Sequence, residues 1–315
     1  MELRFDDRVA VVTGAGSNPG LGRAYALFLA ARGARVVVND LGLGGDGSGE
    51  HPSDAAAVVA EIVAAGGEAV ADGHSVADPD GARAVVHTAL ETLGRLDILI
   101  NNAGVCIPTR FDEVDDADIR RMVDVHVLGS IWMCRAAWPA MSAAGYGRIV
   151  NTTSGAVFGE PWLTIYGTAK AGIFGLTRGL ALEGAPLGIR VNAVSPSAAT
   201  AAAVNTFEFP EEWRAGFAAS LPPESVAAPV GYLAHEVCEV SGTMVDVAAG
   251  HVKAVVFGHT AGHHSEAPSI EDVATHVGDV FAATDPVLIS DPHDPAAGVR
   301  DADGALQPKP YRPGA

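Results

Sequence analysis

The sequence is poor in cysteine, in positive charge and in long apolar runs, and each shortage excludes a class of protein. Its three cysteines, Cys106, Cys134 and Cys238, are far apart and form no CxxC pair, so neither a disulfide framework nor a structural zinc site is expected. Lys and Arg number 20 against 38 Asp and Glu, a net charge of -18, which disfavours nucleic acid and anionic membranes as partners. No apolar run reaches the roughly 18 residues of a membrane-spanning helix.

The chain does contain enough apolar material for a large buried core. Hydrophobic residues make up 48% of its 315 residues, and most of the length has no signature of disorder. We find no N-terminal signal, and the chain ends Tyr-Arg-Pro-Gly-Ala rather than in a peroxisomal tripeptide. We therefore expect a soluble, cytoplasmic protein.

The start of the chain has the layout of a dinucleotide-binding unit. Arg8 to Thr13 reads as a buried strand, and the glycine-rich turn Gly14 to Gly22 leads into a helical run. Glycines let the backbone approach a pyrophosphate, which the free amides at a helix N-terminus attract. Asp40 ends the second strand, and its neighbours offer no Arg or Lys for a 2'-phosphate. These residue types favour NAD over NADP, while a capping role for Asp40 is the alternative.

Strands and helices alternate from this unit to about residue 250. Further strands are expected at 68–71, 96–100, 148–151, 189–194 and 242–249, with long helices at 117–143 and 166–182. Repeated β-α-β units give a Rossmann-type, doubly wound parallel sheet flanked by helices on both faces. We predict an α/β fold with one domain at 1–250, a C-terminal extension at 251–295 that includes a helix at 269–283, and a loosely ordered tail at 296–315.

Tyr166 and Lys170 are four residues apart on one predicted helix, so both side chains point into one cleft. An ammonium near a phenol favours the phenolate and lowers its pKa, which makes tyrosine usable as a general acid or base. An amphipathic surface pair is the alternative at this point. Asn101-Asn102-Ala103-Gly104 follows the fourth strand directly, at the sheet edge where ligands of such folds bind.

The order and spacing of the glycine turn, Asp40, the Asn102 turn, Ser154, Tyr166 and Lys170 resemble the short-chain dehydrogenase/reductase family. Within the family, stretches such as Arg32-Gly-Ala-Arg-Val-Val-Val-Asn-Asp-Leu-Gly and Arg135-Ala-Ala-Trp138 are similar to the (3R)-hydroxyacyl-CoA dehydrogenase module of peroxisomal multifunctional enzyme type 2. This similarity runs from about residue 5 to about residue 290.

The resemblance implies a mechanism in which Tyr166 exchanges a proton with the substrate oxygen while nicotinamide exchanges a hydride with its carbon. Ser154 then positions that oxygen, and Lys170 binds the nicotinamide ribose and lowers the pKa of Tyr166. His126 stands where the family usually has a proton-relay asparagine, with a packed helix histidine as the alternative. The cofactor-binding residues expected from sequence and resemblance are Gly14, Ser17, Asn18, Gly20, Leu21, Gly22, Asp40, Ser75, Val76, Asn102, Ala103, Gly104, Tyr166, Lys170, Pro196 and Thr200.

Three departures from the family pattern affect these assignments. The phosphate turn has five residues between Gly14 and Gly20 instead of three, so the amides that contact phosphate are not fixed by the resemblance. The acid that the family has after the third strand appears as His74, and either Asp72 or Ser75 takes its role. Thr200 lies one residue early for the threonine that meets the carboxamide or pyrophosphate.

The resemblance predicts an NAD-dependent oxidoreductase that interconverts a secondary alcohol and a ketone, most specifically a 3-hydroxyacyl-CoA and its 3-ketoacyl-CoA. Lys253, Arg190 and Arg214 are candidates for contacts with CoA. A steroid or other hydrophobic alcohol dehydrogenase is the first alternative, and a catalytically silent NAD-binding scaffold is the second. The family also leads us to expect a homodimer or homotetramer.

The regions around and after the expected substrate loop, at about 200–223, leave two questions. Phe207, Phe209, Trp213 and Phe217 either line an acyl or steroid pocket or pack a lid onto the core. No metal site is expected, because no Cys, Asp or Glu completes a tetrahedral set with His259, His263 and His264.

Overall fold

The computed structural model describes residues 2–43, 55–206, 211–282, 287–288, 299–300 and 306–307. Side chains are described for all of these except 205–206, 211–215 and the residues after 282. The chain divides into two compact units, one at Met1–Ala254 and the other at Val255–Ala315. Among the described helices, none combines the length and the hydropathy needed to cross a membrane.

The first unit is built on one eight-stranded sheet, and the α/β prediction is confirmed. Its spatial order is β3-β2-β1-β4-β5-β6-β7-β8, and every pairing from β3 to β7 is parallel. The order reverses between β1 and β4, which opens a crevice at the carboxyl ends of these strands. The strands are β1 Val9–Thr13, β2 Arg35–Asn39, β3 Glu68–Asp72, β4 Ile98–Asn101, β5 Gly147–Thr152, β6 Ile189–Pro196, β7 Met244–Ala248 and β8 His251–Val255.

Helices cover both faces of the sheet because the central strands are apolar on both sides. Along β1, Ala10 and Val12 pack into one core, while Val9 and Val11 pack into the other, as the alternation of strand side chains requires. The first core is closed by α1 Leu21–Ala31, α2 Ala55–Ala64 and α9 Glu224–Ala234. The second is closed by α3 Pro79–Leu93, α5 Gly129–Ala144 and α6 Thr164–Gly184. The remaining helices of this unit are α4 Asp116–Val123, α7 Ala201–Thr206 and α8 Glu211–Ser220.

The helix expected at 117–143 runs from Asp116 to Ala144 and contains one irregular turn. A π-helical turn over Asp124–Leu128 separates α4 from α5. Gly129 begins α5 directly against Val76, where a Cβ atom would come within 3.1 Å of the valine side chain. His126 lies in this turn and is buried, and such π turns recur at functional sites.

The sheet continues one strand beyond the predicted end of the domain. β7 and β8 are joined by Ala249 and Gly250 alone, both with positive φ angles of 47° and 79°. A two-residue loop with this backbone forms a tight hairpin. The first unit thus extends to about residue 254 instead of 250.

The second unit has short elements, and the single helix predicted at 269–283 is wrong. The structure has α10 Ile270–Thr275 and α11 Val277–Val280, which are separated at His276. The Asp272 carbonyl accepts hydrogen bonds from both the backbone and the ring of His276, which ends α10 there. The described strands form two pairs, β9 Gly258–His259 with β10 Val287–Leu288 and β11 Val299–Arg300 with β12 Leu306–Gln307. Most of the predicted tail at 296–315 lies outside the described residues.

Candidate active site

A cavity of about 700 Å³ opens at the carboxyl ends of the central strands. It is lined by all four predicted catalytic residues, Ser154, Tyr166, Lys170 and His126, and by every predicted cofactor residue except Asn18 and Gly22. A smaller cavity of about 480 Å³ near Arg4, Arg35 and Glu68 includes none of these residues. The sequence motifs therefore meet at one place.

The glycine turn forms an open anion site at the N-terminus of α1. Gly14 has a φ of +63°, and a Cβ there would lie 2.7 Å from the Ala103 backbone, so glycine is required. Gly20 caps α1, and no side chain bonds to the amides of the first turn, which leaves them able to bind a phosphate.

Asn18 and Gly22 have structural positions instead of lining the cavity. Asn18 lies exposed on the outer side of the lengthened turn. Gly22 is buried, and a Cβ there would clash with the Gly14 carbonyl and approach Asn102. The glycine at this position is therefore explained by the packing of α1 onto the turn.

Asp40 is held by two backbone amides and faces the glycine turn. Its Oδ2 accepts from the Gly16 amide at 2.6 Å, and its Oδ1 accepts from the Gly42 amide at 2.7 Å. A Cβ at Gly16 would lie 2.8 Å from the Asp40 carboxyl carbon. A fixed carboxylate at the end of β2 fits the ribose hydroxyls of NAD and repels a 2'-phosphate.

Asn102 stabilises the glycine turn as well as lining the cavity. Its side-chain nitrogen donates to the carbonyls of Thr13 and Gly14, both at 2.9 Å. Its backbone amide donates to the Thr13 hydroxyl at 3.0 Å. These bonds join the ends of β1 and β4 at the point where the strand order reverses, so Asn102 shapes the floor of the cleft.

Asp72 and Ser75, the two candidates for the role of the acid that the family has after the third strand, lie in different surroundings. Asp72 is buried and accepts hydrogen bonds from Asn39 at 2.8 Å, the Thr88 hydroxyl at 2.7 Å and the His74 amide at 3.0 Å. These bonds lower the pKa of Asp72 although its burial raises it. Asp72 thus ties β2, β3 and α3 together, while Ser75 and His74 line the cavity.

Tyr166 and Ser154 meet at the other end of the cavity. Tyr166 lies in the first turns of α6, and Ser154 follows β5 as the cap of a short 3-10 turn. Burial raises the pKa of the Tyr166 phenol, while a hydrogen bond with the Ser154 hydroxyl lowers it. Tyr166 therefore stays a protonated acid around neutral pH in this structure.

Burial raises the pKa of the Tyr166 phenol in this structure, and the lowering by Lys170 that the sequence leads us to expect stays a prediction. The Lys170 ammonium donates to the Thr152 carbonyl at 2.8 Å and lies 5.6 Å from the centre of the Tyr166 ring. The side chain is buried, and burial lowers the pKa of Lys170 from 10.5 to about 7.

His126 packs edge-on against Tyr166, with ring centres 5.3 Å apart. Its Nε2 lies 2.7 Å from the Val105 carbonyl oxygen and 3.2 Å from the Val105 amide nitrogen, and we assign the ring proton to Nε2 because the carbonyl is the nearer partner. Its Nδ1 is buried and has no partner among the described residues. Burial, reinforced by the Lys170 charge, keeps the pKa of His126 well below 6.5. His126 is therefore a neutral ring with a free acceptor nitrogen beside the tyrosine.

Sequence reasoning missed several cavity residues, since nothing in their local sequence distinguishes them. Cys106 lines the catalytic end, and burial raises the pKa of its thiol to about 11. Arg121 also lines the cavity, one helical turn before Val125. Of the residues suggested for CoA, Arg190 donates to the Cys238 carbonyl and Lys253 is exposed on β8, and neither lines the cavity. The Arg214 side chain lies outside the described residues.

The segment after β6 closes the remaining side of the cavity. Pro196 and Thr200 line it, and the Thr200 hydroxyl caps α7 by accepting from the Ala203 amide at 3.1 Å. The Ala201 amide donates to the Pro19 carbonyl at 2.9 Å, which joins this segment to the glycine turn. Phe217 of α8 also lines the cavity. Phe207, Phe209 and the Trp213 side chain lie outside the described residues.

The expectation that no acid joins the C-terminal histidines is wrong for His263. Its Nε2 lies 3.2 Å from both carboxylate oxygens of Asp272, and His276 completes a cluster whose ligand-type atoms lie within 4.8 Å of one another. The two rings stack at 3.7 Å with planes 5° apart. In-plane lone pairs of parallel rings do not converge on one ion, so this arrangement favours a hydrogen-bonded cluster over a metal centre.

Fold and cavity together define a dinucleotide-binding oxidoreductase of the doubly wound α/β class. A sequence model of the family described as short chain dehydrogenase matches residues 8–211. The chain therefore belongs to the short-chain dehydrogenase/reductase family, whose members are enzymes that interconvert alcohols and ketones with NAD(P).

Similar proteins include both longer enzymes and single-module ones. The chain is 42% identical over 261 residues to peroxisomal multifunctional enzyme type 2 of Mus musculus, a match that covers 82% of this chain and 34% of that enzyme. A crystal structure of a short chain dehydrogenase from Mycobacterium avium is 39% identical, with a TM-score of 0.75, and the match covers 90% of this chain and 97% of that one. A 7α-hydroxysteroid dehydrogenase complexed with NADH and 7-oxo glycochenodeoxycholic acid is 30% identical, with a TM-score of 0.69, over 78% of this chain and 95% of that one.

Proposed function

We propose that this protein is an NAD-dependent dehydrogenase that interconverts a 3-hydroxyacyl-CoA and a 3-ketoacyl-CoA. The interconversion of an alcohol and a ketone is supported by one observation. A single cavity has Asp40 at one end and, at the other, the predicted catalytic residues Ser154, Tyr166, Lys170 and His126. The substrate class is supported by the similarity to multifunctional enzyme type 2, of which the chain spans about a third.

In this proposal Tyr166 exchanges a proton with the reacting oxygen, and Ser154 fixes the position of that oxygen through its hydroxyl. A phenol whose pKa is raised by burial stays protonated and so holds the proton that ketone reduction needs, whereas alcohol oxidation needs its phenolate. The bound nicotinamide supplies or accepts the hydride. The protein then contributes orientation and a shielded proton site.

His126 and Lys170 form the proposed proton route away from Tyr166. The unpaired Nδ1 of His126 accepts a proton or a bridging water, while its Nε2 stays bound to Val105. The pKa of Lys170, about 7, lets its amine gain and lose a proton near neutral pH. Both groups are buried beside Tyr166 and line the same cavity, which places them where they can pass protons to and from the phenol.

The preference for NAD is part of the same proposal. The Asp40 carboxylate has its position fixed by the Gly16 and Gly42 amides, and Leu41 and Leu43 are the neighbouring cavity residues. A 2'-phosphate there would meet a negative charge.

From the sequence we also propose a cytoplasmic location and a homodimer or homotetramer.

A hydroxysteroid dehydrogenase is the second candidate function. It is favoured by the similarity to the 7α-hydroxysteroid dehydrogenase and by Phe217, which offers an aromatic wall in the cavity. The silent-scaffold alternative is set aside, because the chain belongs to a family of enzymes and all four predicted catalytic residues line one cavity.

Initial rates of NAD reduction with (3R)-3-hydroxyacyl-CoA, measured beside a 7α- and a 17β-hydroxysteroid, test the substrate class. The proposal predicts turnover of the thioester with a kcat/KM at least about tenfold above either steroid, the difference expected from one good binding contact. Turnover of a steroid alone would overturn it. Tyr166→Phe serves as the matched control, because it must abolish whichever activity is found.

A further inference from the structure

Thr153 lies between the strand and the helix that carry the candidate catalytic residues. It directly follows β5 and precedes Ser154, it is buried, and it lines the cavity. Its amide donates to the Val194 carbonyl on β6 at 2.8 Å. The backbone of Thr153 is therefore fixed to the sheet.

The Thr153 hydroxyl bonds to α6, where it donates to the Lys170 carbonyl at 3.0 Å. The preceding residue bonds to the other end of the same lysine, since the Thr152 carbonyl accepts from the Lys170 ammonium at 2.8 Å. Two consecutive residues at the end of β5 therefore hold Lys170, one by its main chain and the other by its side chain.

A bond to the main chain of Lys170 also restrains the helical turn that carries Tyr166. The two residues are four apart in α6, and in an α-helix the amide of the later residue bonds to the carbonyl of the earlier one. The Thr153 hydroxyl thus restrains the whole turn from 166 to 170 relative to the sheet.

The Ser154 hydroxyl has a fixed position relative to its own backbone. Its Oγ accepts from the Ala156 amide at 3.2 Å and caps a short 3-10 turn. A displacement of the backbone at Thr153 would therefore move the Ser154 hydroxyl with it. The distance between the hydroxyls of Ser154 and Tyr166 depends on how the end of β5 is attached to α6.

We propose that Thr153 is a positioning residue for the proton transfer, because its hydroxyl holds the Ser154 backbone at a fixed distance from the turn that carries Tyr166. This inference rests on the proposed function, in which Ser154 and Tyr166 contact the same substrate oxygen. A misplacement of about 1 Å between reacting groups costs about a hundredfold in rate. Thr153 acts through these two residues and exchanges no proton with the substrate.

Thr153→Val tests this role, because it replaces the hydroxyl with a methyl group of similar size. The Lys170 carbonyl keeps the helical bond from the amide of residue 174, so the variant leaves no buried acceptor without a partner. We expect kcat to fall about tenfold to hundredfold, while KM for the alcohol and the Kd for NADH stay within about threefold of wild type. Thr153→Ser keeps the hydroxyl and should restore most of kcat; a serine variant as slow as the valine variant would overturn the inference.

Thr168→Val is the matched control on the same helix. The Thr168 hydroxyl also donates to a carbonyl of α6, that of Thr164 at 2.7 Å, but Thr168 is exposed and does not line the cavity. Its kcat should stay within about twofold of wild type. Calorimetry on all variants gives Tm. If Thr153 only stabilised the fold, Thr153→Val would have a lower Tm and a wild-type kcat well below that Tm, and this result would overturn the inference.

Crystal structures of the wild type and of Thr153→Val separate this inference from the proposed function. We expect the distance between Ser154 Oγ and Tyr166 Oη to increase by about 1 Å in the variant. An unchanged distance would overturn the positioning role, whichever substrate the enzyme uses. A wild-type protein that oxidises neither thioester nor steroid would instead overturn the proposed function, and the measured distance would still decide the role of Thr153.

Discussion

Replacing Lys170 with methionine is expected to stabilise the protein while it abolishes catalysis. Burial lowers the pKa of Lys170 from 10.5 to about 7, and one pKa unit corresponds to about 1.4 kcal/mol. Keeping this amine buried at pH 7 therefore costs on the order of 4 kcal/mol. Methionine fills the same space without a charge.

Part of this gain is offset by the loss of a hydrogen bond. Lys170 donates to the Thr152 carbonyl at 2.8 Å, and losing a charged donor costs about 1.5–3 kcal/mol. The net stabilisation of Lys170→Met at pH 7 is then about 1–3 kcal/mol. For a domain of this size, a gain of that magnitude raises Tm by roughly 3–10 °C.

The pH dependence distinguishes this explanation from better packing. The unfolded lysine binds a proton up to about pH 10.5 and the folded one only up to about pH 7, so the wild type gains stability as pH rises between these values. The advantage of Lys170→Met must shrink over the same window. Calorimetry at several pH values measures it, with Lys253→Met as control, because Lys253 is exposed on β8. A lower Tm for Lys170→Met at pH 7, or an advantage independent of pH, would show that burial of the amine is not what destabilises the wild type.

Three further predictions concern the cofactor and the proton route. Asp40→Asn removes the charge that repels a 2'-phosphate. The Kd for NADP divided by the Kd for NAD should therefore fall at least about tenfold, as measured by fluorescence titration. An unchanged ratio would contradict this role of Asp40. Burial raises the pKa of Tyr166, so kcat/KM for alcohol oxidation should rise about tenfold per pH unit between about pH 7 and 9, while kcat/KM for ketone reduction should not change over this range. A plateau in kcat/KM for oxidation at neutral pH would show that the phenol is already ionised. His126→Ala should lower kcat about tenfold to hundredfold with little change in the Kd for NAD, and His126→Asn should restore most of it; equal losses in both variants would make His126 a packing residue only.

Much of the fold can be predicted from the sequence because its signals are local. The apolar run before Gly14, the glycine turn and Asp40 each predict their own structure from neighbouring residues, and the parallel sheet follows from repeated units of this kind. The π turn at Asp124–Leu128 has no such signal. It adjoins Gly129, which packs against Val76, a residue distant in sequence.

The chemistry of the site can be predicted only in part for the same reason. Spacing brings Tyr166 and Lys170 to one helix face, but the direction in which the pKa of Tyr166 shifts depends on its burial and on its hydrogen bond with Ser154. Asn102 was expected at the cofactor, and its bonds to Thr13 and Gly14 show that it also shapes the cleft. The pKa of Tyr166 and the hydrogen-bond partners of Asn102 depend on tertiary structure, which the sequence does not show.

Tyr166 is the residue on which the proposed NAD-dependent alcohol oxidation depends most, since it exchanges the proton. Tyr166→Phe removes one oxygen atom and leaves the ring that packs against His126. Stopped-flow turnover and NADH titration on the same variant separate chemistry from binding. We expect kcat to fall at least about a hundredfold while the Kd for NADH stays within about threefold of wild type. A variant that keeps wild-type turnover would contradict this role of Tyr166.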